Sequence, residues 1–230
     1  MRMPLLDTPL PPGDALASDS VARVALQTRR PQDFELLLQG GFLVICESGC
    51  SVREFLCMQM GVCGDYTQIR IQTIFLNGKP VDDLDTAIVN PDDHLAFSAA
   101  MPGVVGATMR RGGYYAPMRE GISLNAPDDV ETTSGPECFV HVRLFNFLAR
   151  ELASTFLRRG LFVRGERFLE FLHNRQPAFY EGIGRASCNE KDMPPTALAE
   201  RLAALPAMDA VFVQICEELA DVASAPAVQQ

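Results

Sequence analysis

Apolar residues recur along this chain with two periods, and the switches between them predict its elements. Residues 21–26 (VARVAL) alternate weakly and predict a short edge strand before Pro31 resets the chain. Asp33–Leu38 and Phe42–Cys46 read as two strands joined through Gln39-Gly40-Gly41, because a glycine pair supplies the positive φ of a tight hairpin turn. Ser51-Val52-Arg53-Glu54 fits a capping box, in which the Ser hydroxyl and the Glu carboxylate satisfy each other's backbone donors. A short helix therefore starts there, with Val52, Phe55, Leu56 and Met60 on one face and Gly61 at its end. Ile69–Leu76 (IRIQTIFL) then reads as a strand, Asn77-Gly78 as a turn, and Asn90-Pro91-Asp92-Asp93 as a turn cluster before a strand at His94–Phe97.

Residues 98–136 are rich in Gly and Pro, and 104–136 read as a linker or irregular flap. Beyond them the helical period dominates. Leu144, Phe145, Leu148, Leu152, Thr155 and Phe156 form one stripe, so Val142–Arg159 predicts an amphipathic helix closed by Gly160. Leu161–Val163 reads as a short extended piece, Glu166–Asn174 as a helix ended before Pro177, and 178–193 as loop. Thr196–Leu205 and Asp209–Val222 predict two further helices. The expected class is α+β: an N-terminal arm over 1–31, a first domain over 32–103 in the order strand, strand, helix, strand, short link, strand, then the linker, then a mainly helical domain over 137–224.

Composition narrows the function classes. At 230 residues, 47% hydrophobic and 21% charged, the chain can bury a core. A formal net charge of −9 argues against a general nucleic-acid binder, which needs clustered Lys and Arg. No run approaches the ~18 apolar residues of a membrane span, and the opening MRMPLLDTPLPPGDALASD lacks a signal-peptide core. A cytoplasmic location is expected, where the seven cysteines would mostly stay thiols. There is no P-loop, no G-x-G-x-x-G after a strand and no G-x-S-x-G, and His94, His141 and His173 are far apart. The reading leans away from an enzyme and calls for no cofactor.

The cysteines are the one cluster with chemistry of its own. Cys46, Cys50, Cys57 and Cys63 fall within eighteen residues, and thiolates so close can bind zinc or an iron–sulfur cluster. Their spacing, C-x3-C-x6-C-x5-C, is not the paired C-x2-C of zinc sites, and buried thiols are the alternative reading. Cys50, just before the predicted helix, is also a candidate low-pKa thiol.

The segment IFLNGKPVDDLDTAIVNPDDHLAFSAAMPG, residues 74–103, resembles the C-terminal half of the ubiquitin-like sulfur carriers, the small subunit of molybdopterin synthase and the thiamine-pathway carrier. Ile74-Phe75-Leu76-Asn77 resembles their strand and Asn turn, Asp92-Asp93 their turn, and Leu95-Ala96-Phe97 their last strand. The resemblance implies a β-grasp fold for residues 32–103. It also implies a C-terminal Gly-Gly whose carboxylate is adenylated and converted to a thiocarboxylate. Here the matching position reads Met101-Pro102-Gly103-Val104 and the chain runs on to Gln230. Nine residues later, Arg110-Arg111-Gly112-Gly113 resembles ubiquitin's own ending, so cleavage after Gly113 would expose a suitable terminus. The first expectation is a non-catalytic interaction module that binds a protein partner or itself. The alternatives are a sulfur carrier activated by that cleavage, and a metal or iron–sulfur protein using Cys46–Cys63.

Overall fold

Side chains that alternate between buried and exposed build most of the structure. The computed structural model describes residues 21–124, 135–205 and 208–218; the arm up to residue 20, the middle of the linker and the chain after 218 lie outside them. The strands are β1 (Val21–Thr28), β2 (Phe42–Glu47), β3 (Thr73–Leu76), β4 (Lys79–Pro80), β5 (His94–Ser98), β6 (Glu137–Leu144), β7 (Leu161–Arg164), β8 (Ile183–Cys188), β9 (Lys191–Met193) and β10 (Ala210–Glu217). They form one ten-stranded open sheet in the order β4-β3-β5-β6-β2-β7-β10-β1-β8-β9. β5 runs parallel to β6, and β1 parallel to β10; the remaining neighbours are antiparallel. Among the described residues no helix is long and apolar enough to cross a membrane.

The fold is α+β, as the chain predicts, but the helical second half is not. Residues 137–224 contribute β6 to β10, five strands of the same sheet. Where a helix is expected from Val142, the strand β6 runs to Leu144, with Val140, Val142 and Leu144 buried on alternate positions. Asn146, at φ +53, then turns the chain into two short helices, α5 (Phe147–Glu151) and α6 (Ala153–Arg159). The helix expected over 209–222 is replaced by β10 over Ala210–Glu217, with Val211, Val213 and Ile215 buried on one face, and its last residues lie outside those described. The segment read as loop over 178–193 holds a helix, α8 (Pro177–Glu181), and the hairpin β8–β9. β1 is no edge strand: it lies between β10 and β8.

The hairpin expected over 33–46 does not form either. Pro31–Phe34 is a 3-10 turn that leads into α1 (Glu35–Gln39), and Phe34, Leu37 and Leu38 bury one helical face. β2 pairs instead with β6, ninety-odd residues downstream, from Phe42 opposite Val142 to Glu47 opposite Glu137. Other local signals hold. Ser51 caps α2 (Val52–Glu54) through both arms of a capping box, and the helix continues as a π turn over Phe55–Gln59. Asn77 and Gly78, at φ +51 and +77, form the β3–β4 turn. A helix missed as loop, α3 (Gly64–Ile69), precedes β3, while α7 (Gly165–His173) and α9 (Leu198–Ala203) lie where helices are expected.

Packing follows the parity of the strands. One face carries Val24, Val44, Val140 and Val213 into the main core, where Phe34 sits between Phe171 and Phe179 with ring centroids 5.5 and 5.1 Å away. The opposite face carries a smaller cluster of Leu43, Phe162 and Ala210, with Phe139 and Phe212 packed against it. Gly160 closes α6 at φ +93, and a Cβ there would overlap the Phe212 ring, so glycine is required on two counts.

Candidate interaction surface

The chain between β5 and β6 is where exposed apolar residues gather. It begins at Pro102, which caps a short helix, α4 (Gly103–Met109), and continues through a turn into a 3-10 segment, Ala116–Ile122. Gly106 faces the backbone of Met101 so closely that any Cβ would overlap its carbonyl. Val104, Val105, Tyr114, Tyr115, Met118 and Ile122 are all exposed, Tyr114 at 91%, Val104 at 78% and Met118 at 75%. Isolated exposed apolar residues are ordinary, whereas six on one short segment concentrate apolar surface in one stretch of chain.

This flap is fastened from beneath by an arginine. Arg119 is 3% exposed. Its guanidinium donates to Asp82 Oδ2 at 2.8 Å and Oδ1 at 2.6 Å, to Ser123 Oγ at 2.6 Å, to the Thr108 carbonyl at 2.8 Å and to the Arg110 carbonyl at 3.4 Å. The planar fork suits this task, since it binds a carboxylate with two nitrogens and spends its remaining donors on carbonyls. Burial pushes the Asp82 carboxyl up, but the Arg119 bonds and the Gly112 N–H outweigh it, and the net shift is below the usual carboxylate range. At its far end the flap returns to the sheet edge, where the Leu124 N–H donates to the Pro80 carbonyl at 2.8 Å.

The residues expected to form a processed tail are part of this anchorage. The Arg111 N–H donates to the Gln72 carbonyl at 2.8 Å. Its guanidinium lies against the carbonyls of Thr67, Gln68 and Ile71 at 3.2–3.4 Å, at the end of α3, where a cation complements the helix dipole. Gly112, at φ +60, donates to Asp82 Oδ1 at 3.3 Å, and Gly113 donates back to the Arg110 carbonyl at 3.2 Å in a turn. Arg110 itself is exposed. The family-tail equivalents Pro102 and Gly103 form the N-terminus of α4.

The four clustered cysteines do not converge. Cys46 and Cys50 are buried, Cys57 lies half-buried with its sulfur 3.9 Å from Thr67 Oγ1, and Cys63 is exposed. Among the described residues no three His, Cys, Asp or Glu side chains are grouped as a metal ion requires. Burial pushes the Cys50 thiol up to about 11, the opposite of an activated thiolate. The Asp93 carboxylate of the turn is structural: it accepts from Asn77 Nδ2 and the Asn90 N–H, both at 2.7 Å, and so sets the start of β5. His94 and His141 stack with ring centroids 4.1 Å apart on paired strands. Burial, with the neighbouring His94, holds His141 below its usual value.

Sequence reasoning missed Arg119 and Asp82, which are 37 residues apart. The stretch offered three arginines, Arg110, Arg111 and Arg119, and nothing local singled out the third. Comparison of the chain with protein-family models, curated proteins and solved structures finds no match.

Proposed function

We infer that this chain is a non-catalytic protein-interaction module, and that it docks a partner protein through the flap between β5 and β6. The observation that carries the reading is the combination of six exposed apolar side chains on one segment with a buried arginine that fixes that segment to the sheet. A segment that only linked two elements would not require so many bonds to hold apolar groups in water. The flap also presents the Arg110 cation on a chain whose net charge is −9. The partner is therefore a different protein, with an apolar patch rimmed by carboxylates.

The scaffold beneath is a β-grasp sheet with its first strand relocated. Counted from β6, the order β6, β2, α2, β3, β4, β5 reads strand, strand, helix, strand, short strand, strand. Support comes from the antiparallel pairing of β6 with β2 and from the position of β5 beside β6. In this reading the flap is the connection that carries the chain from the last strand of the grasp back to its first.

Photo-crosslinking residues placed at Val105 and Met118, with Lys191 on the remote hairpin as control, test the docking site in cells of the native host. A shared crosslinked partner at the two flap positions, absent at Lys191 and reduced several-fold by Arg110→Glu, is the expected result. Equal labelling at Lys191, or crosslinks only between copies of this chain, would overturn the reading.

A further inference from the structure

β2 and β6 each place a thiol at the same level of the sheet. Cys46 stands opposite Cys138 in the register of the pair, and their sulfurs are 3.7 Å apart. Hydrogen bonds beyond them, Ser48 N–H to the Pro136 carbonyl at 3.1 Å and Gly135 N–H to the Ser48 carbonyl at 2.8 Å, hold the two chains in place on that side. Opposed residues of an antiparallel pair have Cα atoms about 4.5–5.5 Å apart, within the span of about 4.4–6.8 Å that a disulfide bridges. The Ser48–Pro136 bond makes this a hydrogen-bonded rung of the ladder, at the wide spacing of about 5.5 Å, so closing the bond needs side-chain rotation and a small inward movement of the two Cβ atoms. Buried Cys50 lies near both thiols but stands opposite neither in the strand register; Cys57 meets Thr67, Cys63 and Cys216 are exposed, and Cys188 is buried in the core.

We propose that Cys46 and Cys138 are a reversible oxidation site, which forms an intramolecular disulfide by exchange with a low-molecular-weight disulfide such as glutathione disulfide. Cys138 is the half-exposed member and reacts first. Its thiolate attacks one glutathione sulfur, forms a mixed disulfide and releases one glutathione thiolate. The Cys46 thiolate then attacks the Cys138 sulfur and releases the second. Two protein thiols become one disulfide, one glutathione disulfide becomes two glutathione thiols, and the two protons pass to those thiols. Burial pushes both protein thiols up, so the exchange is slow and runs better in mildly alkaline solution. The bridge ties residues 92 positions apart and encloses α2, α3, β3 to β5 and the flap in one covalent loop. The inference is independent of what the flap binds.

The test uses the full folded chain, incubated with excess glutathione disulfide at about pH 8.5 and then quenched, alkylated and digested without reduction. A linked peptide pair joining Cys46 to Cys138 is expected, reversed by a dithiol, with a rise of about 5–10 °C in melting temperature over the reduced chain. Exposed Cys63 and Cys216 report that the oxidant was active, since they take up glutathione as mixed disulfides. Glutathione on those two, with Cys46 and Cys138 both recovered as free thiols, would overturn the proposal. So would a bridge from Cys46 to Cys50, or a Cys46–Cys138 bridge that forms only in denaturant. Cys138→Val supplies a β-branched apolar side chain that suits β6, and it should abolish the linked peptide while a matching circular dichroism spectrum shows the sheet intact.

Discussion

Replacing Arg119 with methionine removes the guanidinium under the flap and keeps most of the aliphatic stem. The variant takes the guanidinium from four acceptors: the Asp82 carboxylate, the Ser123 hydroxyl and the carbonyls of Thr108 and Arg110. Removing one member of a fully buried ion pair costs about 3–5 kcal/mol. Here the Asp82 side chain is 43% exposed and water recovers part of its solvation, which brings the cost towards about 2–3 kcal/mol, in line with a few charge-assisted hydrogen bonds that do not add. That loss falls on the flap, since the guanidinium bonds run to Asp82 and to the flap's own Thr108, Arg110 and Ser123. Hydrogen exchange reads it directly. Amides of Arg111, Gly112, Ser123 and Leu124, all hydrogen-bonded in the structure, should exchange about 30- to 150-fold faster. Amides in β2 and β10 should keep their rates. Flap exchange within about threefold of the native rate would refute the anchoring argument. Equal acceleration across β2 and β10 would also refute it, by showing that the flap opens only with the whole sheet.

Two further perturbations test other parts of the reasoning. Phe34→Ala empties a site between Phe171 and Phe179 that is 1% exposed, and should cost about 3–5 kcal/mol, a fall of roughly 10 °C in melting temperature; a loss below about 1 kcal/mol in chemical denaturation would remove Phe34 from the core. Acid should release the flap before the sheet. The folded Asp82 carboxyl lies below its ordinary value, so its contribution is fully present above about pH 4 and is lost as pH falls through the lower folded value. Flap exchange, corrected for intrinsic rate, should rise over that acid window in the native chain, and Asp82→Asn should erase the pH dependence.

What the chain reveals by itself is local. The Ser51–Glu54 box, the Asn77-Gly78 turn and the Asn90–Asp93 cluster each act within four residues, and each is found where its sequence places it. Errors arose where a burial pattern had two readings. In β10, Val211, Val213 and Ile215 alternate, but Ala210 and Phe212 on the other face are also apolar, and a run buried on both sides loses its period. β6 runs almost directly into α5, so its strand alternation merged with the helical stripe that follows. Over 31–39 the helical signal was present: Pro31 in the first turn, Asp33 and Glu35 at helix starts, and Phe34, Leu37 and Leu38 on one face. The glycine pair after it outweighed that signal, although Gly40 and Gly41 end a helix rather than turn a hairpin. The flap anchor was not legible, because no local rule joins Asp82 to Arg119.

The place of β6 bears on every functional reading of Arg110–Gly113. β6 lies between β5 and β2, paired with β5 from His94 to Phe97 and with all of β2 from Phe42 to Glu47. The chain reaches it only after passing Gly113. Cleavage there would put β6, and every strand after it, on a second fragment. The first fragment would then expose the edges of β5 and β2, with Val44 and Leu95 losing the cover of Val140 and Val142 in the core they share. Unpaired edges of this length favour association over free diffusion, so the two pieces would stay together through the sheet. A terminus freed at Gly113 would also begin its life pinned, through Gly112 to Asp82 and Arg111 to Gln72. An extended tail that enters another protein's channel must first break those bonds, whereas the exposed apolar residues on either side of them are ready to meet a partner as they stand.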